Sequence, residues 1–250
     1  MNDIKVIVSL TSHTKERLSL VPFYLFHSII KYQYNYVKIV LTLYKEDVQF
    51  IPPKLQEMID LGLVELIVAE ENLRCHLKYF YAMKKYRNLP IITIDDDSIY
   101  PQRMIPDLLA NAEKYPNTII CRSARVIDCS KTYSKWYECN FGVEWVNWRG
   151  GYNEVRTDLN PEGYAGVLYP PNILNVNDTM IPVIKEIPRA DDIYLTVLEQ
   201  IYGLKSILCY YNYNKLDKCT KGFAALSTAS DFIGMNDDII NRYLRPVVCR

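Results

Sequence analysis

Residues 90–101 read PIITIDDDSIYP, an apolar, β-branched run that ends in three consecutive aspartates. Two carboxylates held ~4 Å apart at an intermediate dielectric repel by about 4 kcal/mol. A turn that needed only solubility is served by Asn, Gly or a single Asp. The run IITID (91–95) suits a strand buried on both faces, as in a parallel sheet. The carboxylates therefore mark the tip of a core strand, where they call for positive charge.

The same kind of run recurs on either side. IKVIVSL (4–10), VKIVLTL (37–43), VELIVA (64–69) and TIICRSA (118–124) read as further strands. Helical patterns lie between them at roughly 17–32, 53–61, 75–87 and 104–115. In the third, Cys75, Tyr79, Ala82, Met83 and Tyr86 share one face. PPKLQEM (52–58) and IPDLLANAEKYP (105–116) set proline at a helix start, where its missing N–H costs little. The alternation predicts an α/β fold with a mostly parallel central sheet flanked by helices and joined by right-handed crossovers. After about residue 125 the pattern changes. Residues 130–175 carry all three tryptophans and the glycines of WRGGYNEV and PEGYAGVLYPP. A helix at 191–203, a strand at KSILCYY and a closing helix near 235–244 follow. No linker interrupts the chain, so 1–250 reads as one domain with a first half to about 125 and an irregular second half.

Composition narrows the function. With 29 basic and 29 acidic residues the formal net charge is zero, which argues against a nucleic-acid partner. No run of about 18 apolar residues is present, so membrane contact is expected to be peripheral at most. The seven cysteines include no CxxC pair and the three histidines lie well apart, against a structural zinc site. An odd cysteine count, with MNDIKVIVSL reading as a strand and not a leader, predicts reduced thiols and a cytoplasmic protein.

Ligands of open α/β sheets bind beyond the carboxyl ends of the strands. Clustered carboxylates there suit Mg²⁺ or Mn²⁺, which one or two carboxylates hold while substrate phosphates complete the shell. Asp95, Asp96 and Asp97 thus read as a metal–diphosphate site. A solvated acidic turn, or Asp97 capping the next helix, is the alternative. Cations are expected nearby: Arg17 in SLTSHTKER, Lys78 in the first turn of the helix after VELIVAEENLRCH and, more weakly, Arg74. A lysine turned to solvent is the alternative for Lys78. In IPRADDIYL, Asp191 and Asp192 open an amphipathic helix. One aspartate acting as cap leaves the other for general-base work. A cap-only role for the pair competes with this reading.

Taken together, VIVSLTSHTKER, HLKYFYAMKKY, IITIDDDSIYP, GYAGVLYPP and ADDIYL resemble a bacterial glycosyltransferase of the GT-A fold, of the family-2 and polysaccharide-biosynthesis type. The resemblance covers most of residues 4–204 and lies in the order and spacing of the pieces. It implies that IDDD acts as a DXD motif, with Asp97 ligating the metal, Asp95 contacting ribose or a metal-bound water, and Asp96 contacting the nucleotide. It also implies that Ser9 to Ser12, with Thr11 among them, line the base, and that Arg17 and Lys78 lie near base and diphosphate. ADD resembles the catalytic motif of inverting members and makes Asp192 the base. Asp stands where many members have Glu, so Asp191 and Asp192 are able to exchange roles. Gly163, Tyr164, Ala165 and Gly166 would lie near the acceptor, and Trp145 and Trp148 offer faces for sugar stacking.

The activity so implied is a metal-dependent transfer from a nucleotide-sugar, a UDP-sugar for preference, to a glycan or lipid-linked saccharide. A location at the inner face of the cell membrane goes with it. Three rival readings share the sequence features. A sugar nucleotidyltransferase shares the fold, but SLTSHTKER lacks the glycine of its N-terminal loop. DxDxI at 95–99 bears a faint likeness to haloacid-dehalogenase phosphatases, although their motif follows the first strand. A catalytically inactive carbohydrate-binding domain would keep the aromatics and dispense with the metal.

Overall fold

The computed structural model describes residues 3–140, 153–209 and 230–248. The five apolar runs form β1 (Val6–Thr11), β2 (Val37–Tyr44), β3 (Val64–Ala69), β4 (Ile91–Thr93) and β5 (Thr118–Cys121). Between them lie α1 (Lys15–Ser28), α2 (Pro53–Asp60), α3 (Phe80–Lys85) and α4 (Met104–Lys114). The second half contributes β6 (Ser123–Val126), β7 (Tyr137–Asn140), β8 (Val155–Arg156), β9 (Leu159–Pro161), β10 (Val167–Tyr169) and β11 (Lys205–Leu208). Its helices are α5 (Ile181–Glu186), α6 (Asp191–Ile201), α7 (Ser230–Ile239) and α8 (Arg245–Val248), with a π-helical turn at Ile240–Leu244.

The main sheet has the order β3-β2-β1-β4-β10-β5-β11-β8. β1, β2, β3 and β4 run parallel, as do β5 and β11, while β10 lies antiparallel between β4 and β5. The expected mostly parallel sheet is present. Alternation along β1 shows why it forms: Val6, Val8 and Leu10 pack into the core under α1, α2 and α4, and Ile7 packs into the core under α3 and α6. Both faces are covered, so every second residue cannot be polar. The smaller sheet, β7-β6-β9, is antiparallel.

Three local differences from the sequence reading matter for the site. The helix expected at 75–87 is broken into a 3₁₀ turn, Arg74–Lys78, and the short α3. Leu73 and residues 76–80 are buried without interruption, so no polar face is left for a continuous amphipathic helix. The strand expected at 118–124 is cut at Arg122, whose Nη1 donates to the Ala165 carbonyl at 3.0 Å, and the chain passes there from the large sheet to the small one. Within GYAGVLYPP, Val167–Tyr169 is the inserted strand β10.

Cys129 is disulfide-bonded, which corrects the expectation of uniformly reduced thiols; Cys75, Cys121 and Cys209 are free. Among the described residues no helix is long and apolar enough to cross a membrane.

β4 is the hinge of this arrangement. Ile92, fully buried, is paired with Val8 of β1 on one side and Leu168 of β10 on the other. Ile92→Ala should lower the unfolding free energy by about 2–5 kcal/mol in chemical denaturation. A loss below ~1 kcal/mol would contradict so enclosed a position.

Candidate active site

The carboxyl ends of the parallel strands open on a cleft of about 980 Å³. Tyr44 at the end of β2, Asp47 and Phe50 beyond it, and Asn72 and Arg74 after β3 line one end. Arg125, Tyr133, Glu162 and Tyr164 line the other, with the aspartates of both motifs between.

The aspartate tip is built from behind by Tyr100. This buried side chain accepts a hydrogen bond from the Asp95 backbone N–H at 2.9 Å and donates to the Tyr164 carbonyl at 2.8 Å. Its own N–H is held by Ser28 Oγ at the end of α1. The three carboxylates then diverge. Asp96, 6% exposed, accepts from Ser12 Oγ and from both Nε and Nη2 of Arg17, the Nε contact being 3.1 Å. Arg17 Nη2 also reaches Asp97 Oδ2 at 3.2 Å. Asp95 accepts from Lys78 Nζ at 2.9 Å. Asp97 does not cap α4, whose N-cap is Arg103.

Lys78 is the crossing point of the two acidic motifs. It ends the 3₁₀ turn and does not open a helix, so the expected helix-dipole contribution is absent. Its Nζ lies 2.9 Å from Asp95 Oδ1 and 2.6 Å from Asp191 Oδ2, and its side chain is 7% exposed. Burial alone would lower the Lys78 pKa, but Asp191, Asp95 and Asp192 hold it well above the usual lysine value. The solvent-facing alternative is therefore excluded.

At α6 neither acid caps the helix. The N-cap is Ala190, with no side-chain cap. Asp191 turns inward to Lys78; burial would raise its carboxyl, but the ammonium overrides that and holds it below the usual aspartate value. Asp192 moves the opposite way, pushed well up by burial and by the Asp191 charge, with Asp95 and Glu162 adding to it. Its Oδ1 accepts from the Gly163 N–H at 3.1 Å. A Cβ at Gly163 would lie 2.8 Å from Lys78 Nζ and 2.9 Å from Asp192 Oδ1, so any side chain here would displace Lys78 or Asp192 from its present contacts.

Thr11, Ser12, Arg17, Lys78, Asp95, Asp96, Asp97, Tyr164, Asp191 and Asp192 all line the cleft. Thr11 is also tied to β2 through a hydrogen bond from Oγ1 to the Thr42 carbonyl. Ser9 is fully buried in the sheet and does not line the cleft. Ala165 and Gly166 do not line it either: the Ala165 carbonyl is taken by Arg122, and a Cβ at Gly166, whose φ is +96°, would meet Met104 Sδ at 3.3 Å. Trp145 and Trp148 lie outside the described residues. Sequence reasoning missed Arg125, Tyr133 and Glu162. Glu162 accepts from Arg125 Nε at 2.9 Å and from Ser123 Oγ at 2.7 Å, and the Arg125 guanidinium lies over the Tyr133 ring. The signal that was present is Glu162 itself, immediately before GYAG.

Lys78→Met should leave Asp95 and Asp191 without their shared cation and cost about 3–5 kcal/mol at neutral pH. In the wild type the depressed Asp191 pKa contributes stability above the unfolded aspartate pKa, and this is lost only below it. Without Lys78, burial raises Asp191 and penalises the ionised form. The gap between variant and wild type should therefore narrow as the pH falls from 7 towards ~4. Denaturation at a series of pH values checks this; a gap that is constant or widens on acidification contradicts the bridge.

No protein-family model matches the chain, and no curated protein matches it by sequence. Solved structures do. TarS from S. aureus aligns with a TM-score of 0.50 at 13% identity, over 82% of this chain and 35% of TarS. GalNAc-T7, solved with UDP, GalNAc and Mn²⁺, aligns with a TM-score of 0.53 at 14% identity, over 83% of this chain and 43% of its own. The chain thus spans less than half the length of either. At such identity the likeness concerns architecture, and with the strand order above it identifies the fold as GT-A.

Proposed function

We propose that the protein is a metal-dependent glycosyltransferase that moves a sugar from a nucleotide-sugar, a UDP-sugar for preference, to a hydroxyl of a saccharide, with inversion at the anomeric carbon. One observation carries this reading: two acidic motifs about 95 residues apart in sequence meet across Lys78 in one cleft at the strand ends. The complex of GalNAc-T7 with UDP, GalNAc and Mn²⁺ supports the ligand class. The phosphatase reading is not favoured, because Asp95 follows the fourth strand.

The aspartate tip fits a hard divalent ion. Burial and the charges of Asp95 and Asp96 push the Asp97 carboxyl up despite Arg17, a local excess of negative charge that a dication would relieve. Asp95 and Asp97 are 32% and 22% exposed and open to the cleft. Among the described residues no group of three or more His, Cys, Asp or Glu side chains is arranged to hold a metal. Two carboxylates with phosphate oxygens completing the shell is the usual way in which Mg²⁺ is held. Asp97 and Asp95 would hold the ion, which when bound supplies charge neutralisation for the departing diphosphate.

The remaining chemistry belongs to the chain. Asp192 keeps Oδ2 without a hydrogen bond among the described residues while Gly163 fixes Oδ1. It takes the proton of the acceptor hydroxyl as the new bond to the anomeric carbon forms and the bond to the diphosphate oxygen breaks. Its raised pKa brings it nearer the operating pH, where a general base is most effective. Asp191, held ionised by Lys78, is the poorer base. Arg17 holds Asp96 and so braces the tip. Tyr164, beside Glu162, lines the acceptor end. A lipid-linked acceptor at the inner face of the membrane completes the proposal and rests on the family resemblance.

Asp192→Asn should retain nucleotide binding and lower kcat by about 10²–10⁴-fold; an unchanged kcat would remove the base assignment. Because only the ionised carboxylate accepts the proton and its pKa is raised, wild-type kcat should fall on acidification with a midpoint above the ordinary aspartate value of roughly 4. Nucleoside diphosphate release across pH measures both.

A further inference from the structure

The cleft is acidic, and most of its cations are already engaged. Eight Asp and Glu side chains line it against five Lys and Arg among the described residues. Arg17 is paired with Asp96 and Asp97, Lys78 with Asp95 and Asp191, and Arg125 with Glu162. Arg74 and Arg189 remain: neither guanidinium makes an ion pair or hydrogen bond among the described residues, and both line the cleft.

Two buried contacts bring these arginines to one wall. His76 is fully buried, and its Nε2 donates to the Ile187 carbonyl at 2.9 Å while Nδ1 accepts from the Tyr79 hydroxyl. Cys75 Sγ donates to the Pro188 carbonyl at 3.2 Å. Residues 75–76 are thereby clamped to 187–188, and the next residue outward on each segment is the arginine. Leu73, His76, Ile187 and Ala190 are buried, whereas Arg74 and Arg189 are exposed. Arg74 also has φ +53°, a left-handed conformation that is strained for a non-glycine residue and that clusters at ligand-binding sites. A clamp with no polar role of its own in the proposed chemistry thus sets on the cleft lining two guanidinium groups that are unpaired among the described residues, and planar forks of this kind suit phosphate oxygens.

We infer that Arg74 and Arg189 form a metal-independent phosphate subsite, distinct from the aspartate tip, that binds the diphosphate of the donor or a phosphate carried by the acceptor. The choice of phosphate as the anion rests on the glycosyltransferase reading above. The subsite itself is tested apart from that reading by inorganic pyrophosphate in EDTA. Arg74→Asn, which tolerates the left-handed backbone, is combined with Arg189→Gln, and Arg189→Gln alone serves as the variant that leaves the strained turn untouched.

By calorimetry, wild type should bind pyrophosphate without metal, and the double variant should bind it roughly tenfold more weakly or worse, with Arg189→Gln in between. Absence of saturable pyrophosphate binding to wild type, or equal affinity in all three proteins, overturns the subsite. Titration with UDP and GDP in Mn²⁺ then identifies the source. A parallel loss of nucleotide affinity supports the donor diphosphate, and unchanged nucleotide affinity beside lost pyrophosphate binding supports an acceptor phosphate. Pyrophosphate binding to wild type with no nucleotide binding supports the subsite and overturns the nucleotide-sugar reading.

Discussion

A single buried ammonium group organises the cleft. Lys78 joins the tip of β4 to the mouth of α6 by touching Asp95 and Asp191 at once. A charge this deep is tolerated only because its partners are ionised and close, since desolvation otherwise drives the group to neutrality. The constraint runs in both directions. Lys78 stays charged because the carboxylates surround it, and Asp191 stays ionised because Lys78 is there. The tip of β4 and the mouth of α6 are therefore one electrostatic unit, backed by Tyr100, whose hydroxyl ties Asp95 to Tyr164.

That unit gives neighbouring aspartates different properties. Asp191 and Asp192 are adjacent in sequence, yet one is held down by an ammonium and the other is pushed up by burial and by its neighbour's charge. Paired carboxylates whose environments drive their pKa values apart are how one site separates a structural acid from a working base. The aspartate triplet divides in a similar way. Asp96 is spent on Arg17 and Ser12, Asp95 on Lys78, and Asp97 keeps the weakest pairing, one contact with Arg17.

The fold was legible where both faces of a strand are buried. β1 to β5 are β-branched runs, and nothing but a covered sheet accommodates them. β10 was hidden because three residues flanked by glycine and prolines carry too short a pattern to separate strand from loop. The break after Lys78 was hidden for a different reason. The spacing of Cys75, Tyr79 and Met83 fits a helix face, but the unbroken burial of residues 76–80, not the period, decided the local structure. In the site, residue types at strand ends revealed which side chains gather. They did not reveal which pair, because Arg17 meets Asp96 and Lys78 meets Asp191 across 79 and 113 positions of sequence. Nor did the sequence reveal that a side chain at Gly163 would meet Lys78 and Asp192.

The central proposal for this cleft is that the aspartate tip seats a divalent ion that in turn holds a nucleotide. Anomalous diffraction from a crystal soaked with Mn²⁺ and UDP is the direct test. A manganese peak within coordination distance of Asp97, on the Asp95 side of the cleft and touching the diphosphate, is the expected result. UDP bound with no manganese at these carboxylates, or manganese bound elsewhere in the protein, would contradict it.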